Sequence, residues 1–343
     1  MNIESYLPRP QLVTKATTVA TPRFPVIDAH NHLCSVFGGF WHEKPIREFL
    51  DVLDRAHVRW IVDLDGGWGD EMRQRHRNHF ALQVPDRVKL FGGVDWEQWQ
   101  VMGDEFPQWA AEQFRQQVLD GVAGLKIWKP FGLHIKNAEG VLAQVDDARL
   151  DPIWAMAGKM GVPVLVHVGD PIAFFDPIDA HNERYEELHA HPDWHFPAPT
   201  FPPVLSILNA FKNVTVRHAG TKFIIAHVGC YAENLGWVSQ WLDACPNVSI
   251  DFSARIAELG RQPYSARKFF IKYADRIVFG TDIPVDVAMY QLYYRFLESD
   301  DEYFDYSHIP GAPPQGRWQI YGLYLPDDVL AKVYYKNAER LFR

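Results

Sequence analysis

Eight short runs of apolar, largely β-branched residues punctuate the chain: VIDAHNH (26–32), RWIVDLD (59–65), RVKLFGGVDW (87–96), VAGLKIWK (122–129), VPVLVHVGD (162–170), KFIIAHVG (222–229), VSIDFSA (248–254) and RIVFGTDIP (276–284). Their unalternated apolar character predicts parallel strands covered on both faces. Between them, aliphatic and aromatic residues recur at three- and four-residue spacing over 46–56, 106–120, 151–161 and 235–245, which predicts helices with one buried stripe. Asp151 with Pro152 reads as an N-cap followed by proline in the first turn, and Gly161 as the matching stop. Eight such alternations predict a single (β/α)8 barrel of the TIM type over 1–343. The rival doubly wound sheet calls for a glycine-rich phosphate loop after the first strand, and none is present. Four segments lie outside the alternation: an N-terminal extension (1–24), a proline- and aromatic-rich segment after the fifth strand (171–203), a Tyr-, Asp- and Pro-rich stretch (298–326), and an amphipathic closing helix (327–342). Because 171–203 starts at the carboxyl end of a strand, it is expected to form a lid over the barrel mouth.

Polar groups interrupt these runs at one kind of place. His30 and His32 end the first run, His167 the fifth, His227 the sixth and Asp282 the eighth. Residues two apart on a strand share a face, so both imidazoles of the first run point the same way. In a parallel barrel the carboxyl ends of all strands meet at one mouth, and five ionisable groups converging there are costly unless paired or metallated. Imidazole nitrogens plus a carboxylate oxygen make a ligand set for a divalent transition metal, one that accepts zinc, manganese, iron or cobalt.

VIDAHNHL, VLVHVGD, FIIAHVG and IVFGTDIP together resemble the four metal-site motifs of the amidohydrolase superfamily. The likeness is greatest to its amidohydrolase-related branch, which includes aminocarboxymuconate-semialdehyde and resorcylate decarboxylases and several lactone or amide hydrolases. It covers about residues 25 to 290, and the NAERLF helix also fits. The resemblance implies that His30, His32, His167 and Asp282 hold the metal, that His227 stands near its bound water, and that the chain assembles as a homo-oligomer, a dimer first. The expected chemistry is hydrolysis of a small amide, ester or lactone by a metal-activated water, with Asp282 moving the proton and His227 orienting the water or stabilising an oxyanion. The alternative is non-oxidative decarboxylation or hydration of an unsaturated or aromatic acid at the same site.

The remaining candidates concern the substrate. Lys126, read as ending the fourth strand, either binds a substrate carboxylate, pairs with a local one, or is carbamylated and bridges two metals. Arg255 suits a carboxylate or a pairing with Glu258 or Asp286. Trp41 and Trp128 either wall a flat substrate or pack. Asp170 and Asp286 are further groups at the mouth. His181, His189, His191 and His195 crowd the long segment, and Cys34 and Cys230 read as packing residues. The aromatic stretch 290–306 is a candidate interface between subunits. A net charge of −9 argues against a nucleic-acid footprint, three cysteines without a C-x-x-C argue against a disulfide framework or thiolate zinc site, and no apolar run is long enough to span a bilayer. With no secretory signal in view, a reducing cytoplasm is the expected compartment.

Overall fold

A computed structural model describes residues 5–34, 39–308 and 314–342. Its strands are β1 (Val26–Asn31), β2 (Val58–Asp63), β3 (Val88–Leu90), β4 (Leu125–Ile127), β5 (Val164–Val166), β6 (Phe223–Ile225), β7 (Val248–Asp251) and β8 (Ile277–Val278). All neighbours pair in parallel, in the orders β1-β2-β3 and β4-β5-β6-β7-β8. The two sheets are joined where Lys126 N donates to Gly92 O (2.9 Å) and where Ala29 N donates to Phe279 O (2.9 Å). The eight strands thus close into a barrel.

Each predicted run coincides with one strand, β2 starting one residue before its run, and each strand is shorter than the run it matches. The residues beyond it leave the ladder to build the mouth. Within the strands, alternate residues enter two apolar clusters. Val164, Val166, Phe223 and Ile225 join the large cluster under the helices. Leu165 and Ile224 join a smaller one with Ile27, Ala29, Trp60, Val62 and Val278, closed by Ala338 and Leu341 of the last helix. β5 and β6 are therefore apolar on both faces, which is why their runs do not alternate, whereas β4 carries Lys126 and β7 carries Ser249 and Asp251 on one face.

The helices Ile46–Arg55, Phe106–Leu119, Asp151–Met160 and Leu235–Ala244 fall where the periodicity predicts. Gly161 takes the left-handed conformation (φ 72°) that ends its helix. Asp151 is not the cap, however. It is the first helical residue, and its carboxylate pairs with His218 Nε2 at 2.9 Å. The closing segment is helical from Asp327 to Leu341, widened to a π turn over Lys332–Lys336.

The segment 171–203 carries a short helix, Tyr185–Ala190, and is fastened down. Its buried Arg184 binds Glu187 (2.6 Å) and Glu258, and Glu183 binds Arg261 (2.8 Å). Its histidines do not converge: His195 Nε2 meets Asp176 O (2.9 Å), and His191 stacks on Trp194 (4.1 Å). The N-terminal segment packs on the stretch after helix Val287–Glu298, with Thr17 Oγ1 donating to Asp301 (2.7 Å).

The aromatic stretch expected as an interface faces inward instead. Tyr290, Tyr293, Tyr294 and Phe296 are at most 1% exposed. Their hydroxyls are spent inside the subunit: Tyr290 donates to Asp28 (2.7 Å), Tyr293 to Thr281 O (3.2 Å) and Tyr294 to Ala56 O (2.6 Å). Part of the stretch 298–326, residues 309–313, lies outside the described residues.

Candidate metal centre

The site is built where backbone regularity stops. The β1–β2 register shifts between Asp28 and Asn31. Asp28, fully buried, accepts from Thr281 Oγ1 (2.6 Å), Tyr290 OH (2.7 Å) and Asn31 Nδ2 (3.0 Å). It thereby ties the end of β1 to the turn after β8, where Asp282 N donates to His30 O (2.9 Å). His227 and Val228 (both φ 58°), Cys230 (φ 55°), Ala254 (φ 52°) and Asp282 (φ 51°) all adopt left-handed backbone beyond their strands. That conformation costs an L-residue about 1–2 kcal/mol, so the surrounding contacts must hold it.

The imidazoles are pinned from behind. His30 Nδ1 lies 2.8 Å from Asp251 Oδ2, His32 Nδ1 2.7 Å from Asp65 Oδ1, and His227 Nδ1 2.8 Å from Ser253 O. Each partner is an acceptor, which assigns the ring proton to Nδ1 and leaves the Nε2 lone pair facing inward. Those three Nε2 atoms converge on Asp282, at 3.7 Å (His30) and 3.4 Å (His32) from Oδ1 and 3.5 Å (His227) from Oδ2. His30, His227 and Asp282 form one group whose ligand atoms lie mutually within 4.8 Å. His167 joins through its Nδ1, 3.3 Å from His227 Nε2.

Burial sets the protonation. It pushes His30 and His227 well below the usual imidazole range and His167 down to about 4, so all three are neutral lone-pair donors near pH 7. It pushes the Asp282 carboxyl up to about 6, against the pull of His32 and Lys126. His30 Nε2 and Asp282 Oδ1 are buried with no hydrogen-bond partner among the described residues. Lone pairs aimed at one another without a donor fit a divalent cation.

The strand ends differ in detail from expectation. His167 and His227 lie one and two residues past their strands, and Asp282 four past β8. Lys126 does not end β4 but is its middle residue, 1% exposed, because burial of β4 on both faces carries it inward. Its Nζ has no hydrogen-bond partner among the described residues and lies 4.8 Å above the Trp128 ring; burial lowers its pKa to about 8. No salt bridge to a local carboxylate forms among the described residues, although Asp282 and Asp251 lie near enough to act on its charge. Arg255, 7% exposed, donates to Ala254 O (2.8 Å). It pairs with neither proposed partner, since Glu258 is taken by Arg184 and Asp286 caps helix Val287–Glu298 through Ala288 N (2.9 Å). Trp128 lies 4.9 Å from the His32 ring and stacks on Trp68 at 3.7 Å. Trp41 packs on Phe49 (5.6 Å) under Lys44 (4.2 Å). Asp170 pairs with Lys129 (3.1 Å) and approaches His167 Nε2 (3.4 Å). Cys34 and Cys230 are buried, and burial pushes the Cys230 thiol up to about 12.

Asp65, Asp251 and Ser253, which hold the histidines, escaped the sequence reading. Asp65 and Asp251 interrupt apolar runs just as the histidines do, and that signal was open to use.

A family model described as amidohydrolase matches residues 27–343. The chain belongs to the amidohydrolase family. As a member it is an enzyme, and its barrel is the family's (β/α)8 barrel. This amidohydrolase is similar in fold to 2,6-dihydroxybenzoate decarboxylase from Rhizobium (TM-score 0.58, 16% identity, covering 92% of this chain and 98% of that one). A dihydroxybenzoic acid decarboxylase from Polaromonas sp. JS666, solved with manganese and 2-nitroresorcinol, matches equally (TM-score 0.58, 16% identity, 92% and 96% covered). A probable 2-pyrone-4,6-dicarboxylic acid hydrolase from Acinetobacter baumannii is similar to a lower degree (TM-score 0.52, 11% identity, 93% and 99% covered). Among curated protein sequences none matches. No described helix is long and apolar enough to cross a membrane.

Proposed function

We propose that this amidohydrolase is a metal-dependent hydrolase of small, carboxylate-bearing amides, esters or lactones. His30, His32, His167 and Asp282 are the residues proposed to hold one divalent ion, zinc first. When bound, such an ion acts as a Lewis acid and brings the pKa of water from about 15.7 to near 7. The observation that carries the reading is Asp282. Its Oδ1 faces His30 and His32 while its Oδ2 faces His227 Nε2 at 3.5 Å, so one oxygen is placed towards the ligand imidazoles and the other is left to exchange a proton. Asp282 Oδ2 takes the proton from the attacking water and passes it to the leaving oxygen or nitrogen. His227, its Nδ1–H committed to Ser253 O, holds a lone pair on Nε2 that orients that water. Lys126 and Arg255 offer cations for the substrate carboxylate, and Trp128 offers a flat wall.

A second reading, non-oxidative decarboxylation of an aromatic acid, draws on one observation. The Trp68–Trp128 stack beside His32, with the buried Lys126 ammonium against Trp128, suits a flat ring bearing a carboxylate. The manganese-containing neighbour acts on such an acid by its name.

The experiment is turnover by zinc- or manganese-loaded protein against lactones, amides, esters and hydroxybenzoates, following acid release and carbon dioxide together. Acid release without carbon dioxide supports hydrolysis, and carbon dioxide from the hydroxybenzoates replaces it with the second reading. Asp282→Asn is expected to lower kcat/KM by about 10²–10⁴ and to reduce bound metal. Full metal content with full turnover in that variant would sink both readings.

A further inference from the structure

Behind His32 lies a second buried charge cluster that the proposed chemistry does not use. Asp63 ends β2, Asp65 follows it, and His76 ends the helix Asp70–His76 just before a π turn over Arg77–Ala81. All three side chains are 0% exposed. Asp65 Oδ1 accepts from His32 Nδ1 (2.7 Å) and Trp68 Nε1 (3.0 Å), and its Oδ2 from Leu33 N (2.6 Å) and Cys34 N (2.8 Å). His76 Nδ1 lies 2.6 Å from Asp63 Oδ2 and 4.0 Å from Asp65 Oδ2. Asp63 Oδ1 in turn accepts from Asp65 N (3.1 Å).

Two carboxylates side by side in a dry interior repel strongly unless a cation stands between them. His76 is the group in that position. Burial opposes charge on its ring, yet Asp63 and Asp65 outweigh burial and raise its pKa. We propose that His76 is a positioning residue for the metal centre: as the counter-charge between Asp63 and Asp65, it keeps Asp65 aimed at His32 Nδ1. The inference rests on the reading of His32 as a metal ligand.

These three residues also form a group with ligand atoms within 4.8 Å of one another. The positioning role accounts for them better than a second ion does. Both Asp65 oxygens already receive two donors each, and the His76 nitrogen nearest the carboxylates is engaged with Asp63. The loss of such an outer partner weakens metal binding by about 10–100-fold in other centres.

The test measures zinc affinity by chelator competition, and the visible absorption of the cobalt-loaded protein, in wild type, His76→Gln and the double variant His76→Gln with Asp63→Asn. His76→Gln keeps a donor for Asp63 but removes the cation, so zinc binding is expected to weaken about 10–100-fold with a shifted cobalt spectrum. The double variant removes the unbalanced carboxylate as well, so affinity and spectrum should return most of the way to wild type. A merely structural role predicts a double variant at least as impaired as the single one. If His76→Gln does not fold, the double variant alone decides: wild-type-like affinity upholds the inference and weak affinity overturns it. Wild-type affinity in His76→Gln also overturns it. So do two zinc equivalents in wild type with one lost in His76→Gln, which would make the cluster a metal site of its own. A wild type that takes up no metal overturns the reading of the centre and this inference with it.

Discussion

At the residue scale the mouth is governed by burial without partners. The Lys126 ammonium is buried without a hydrogen-bond partner among the described residues, and under the proposed function a substrate carboxylate would supply one. Lys126→Met should therefore raise KM for a carboxylate-bearing substrate by about 10–100-fold with kcat little changed, the range of a charge-assisted hydrogen bond. Steady-state kinetics on the substrate found by the panel checks this. Asp170 behaves oppositely. Burial pushes its carboxyl up, but Lys129 and His167 outweigh burial and hold it at about 2, below the usual 3.8. A carboxyl lowered by folding stabilises the fold fully above its unfolded pKa and loses that contribution as pH falls towards its folded one. Acid unfolding followed by fluorescence should show Asp170→Asn losing stability relative to wild type above about pH 4 and converging with it towards pH 2. Sequence position reached the five strand-end groups because a polar residue ending an apolar run is conspicuous. It did not reach His76, which sits in a polar helix (DEMRQRH) where one more basic residue carries no signal.

At the element scale the reading succeeded where periodicity was clean and failed where composition masked it. Helix Val204–Arg217 reads VLSILNAFKNVTVR, rich in β-branched residues, and packing of Ile207, Leu208, Phe211 and Val214 overrides their weak helix propensity. The aromatic stretch 290–306 invites reading as an interface between subunits. Its hydroxyls instead find acceptors within the barrel wall, a long-range fact no local pattern encodes. The consequence is measurable. Tyr290→Phe leaves Asp28, buried at the β1–β8 junction, one donor short, and should cost about 1–3 kcal/mol in urea unfolding, with weaker zinc binding because the turn bearing Asp282 loosens.

Across the whole molecule, the barrel itself was legible because eight apolar runs leave few topologies open. The fastening of 171–203 was not, since it depends on ion pairs between residues 74 positions apart, Arg184 and Glu258. Both are 1% exposed, so Arg184→Met strands a buried carboxylate and should destabilise the protein by about 3–5 kcal/mol. Equilibrium denaturation measures that loss, and limited proteolysis should show cleavage within 171–203 in the variant before the barrel is cut.

The left-handed residues around the mouth have an evolutionary consequence. His227, Val228, Cys230, Ala254 and Asp282 hold backbone conformations that glycine or asparagine would adopt with less strain. A lineage pressed only for heat resistance finds its nearest gains at those positions, and each gain slackens the turn that aims a reacting group. Thermal adaptation and turnover therefore compete here over the same few codons, and a relative that had lost its activity would be expected to show the change there first.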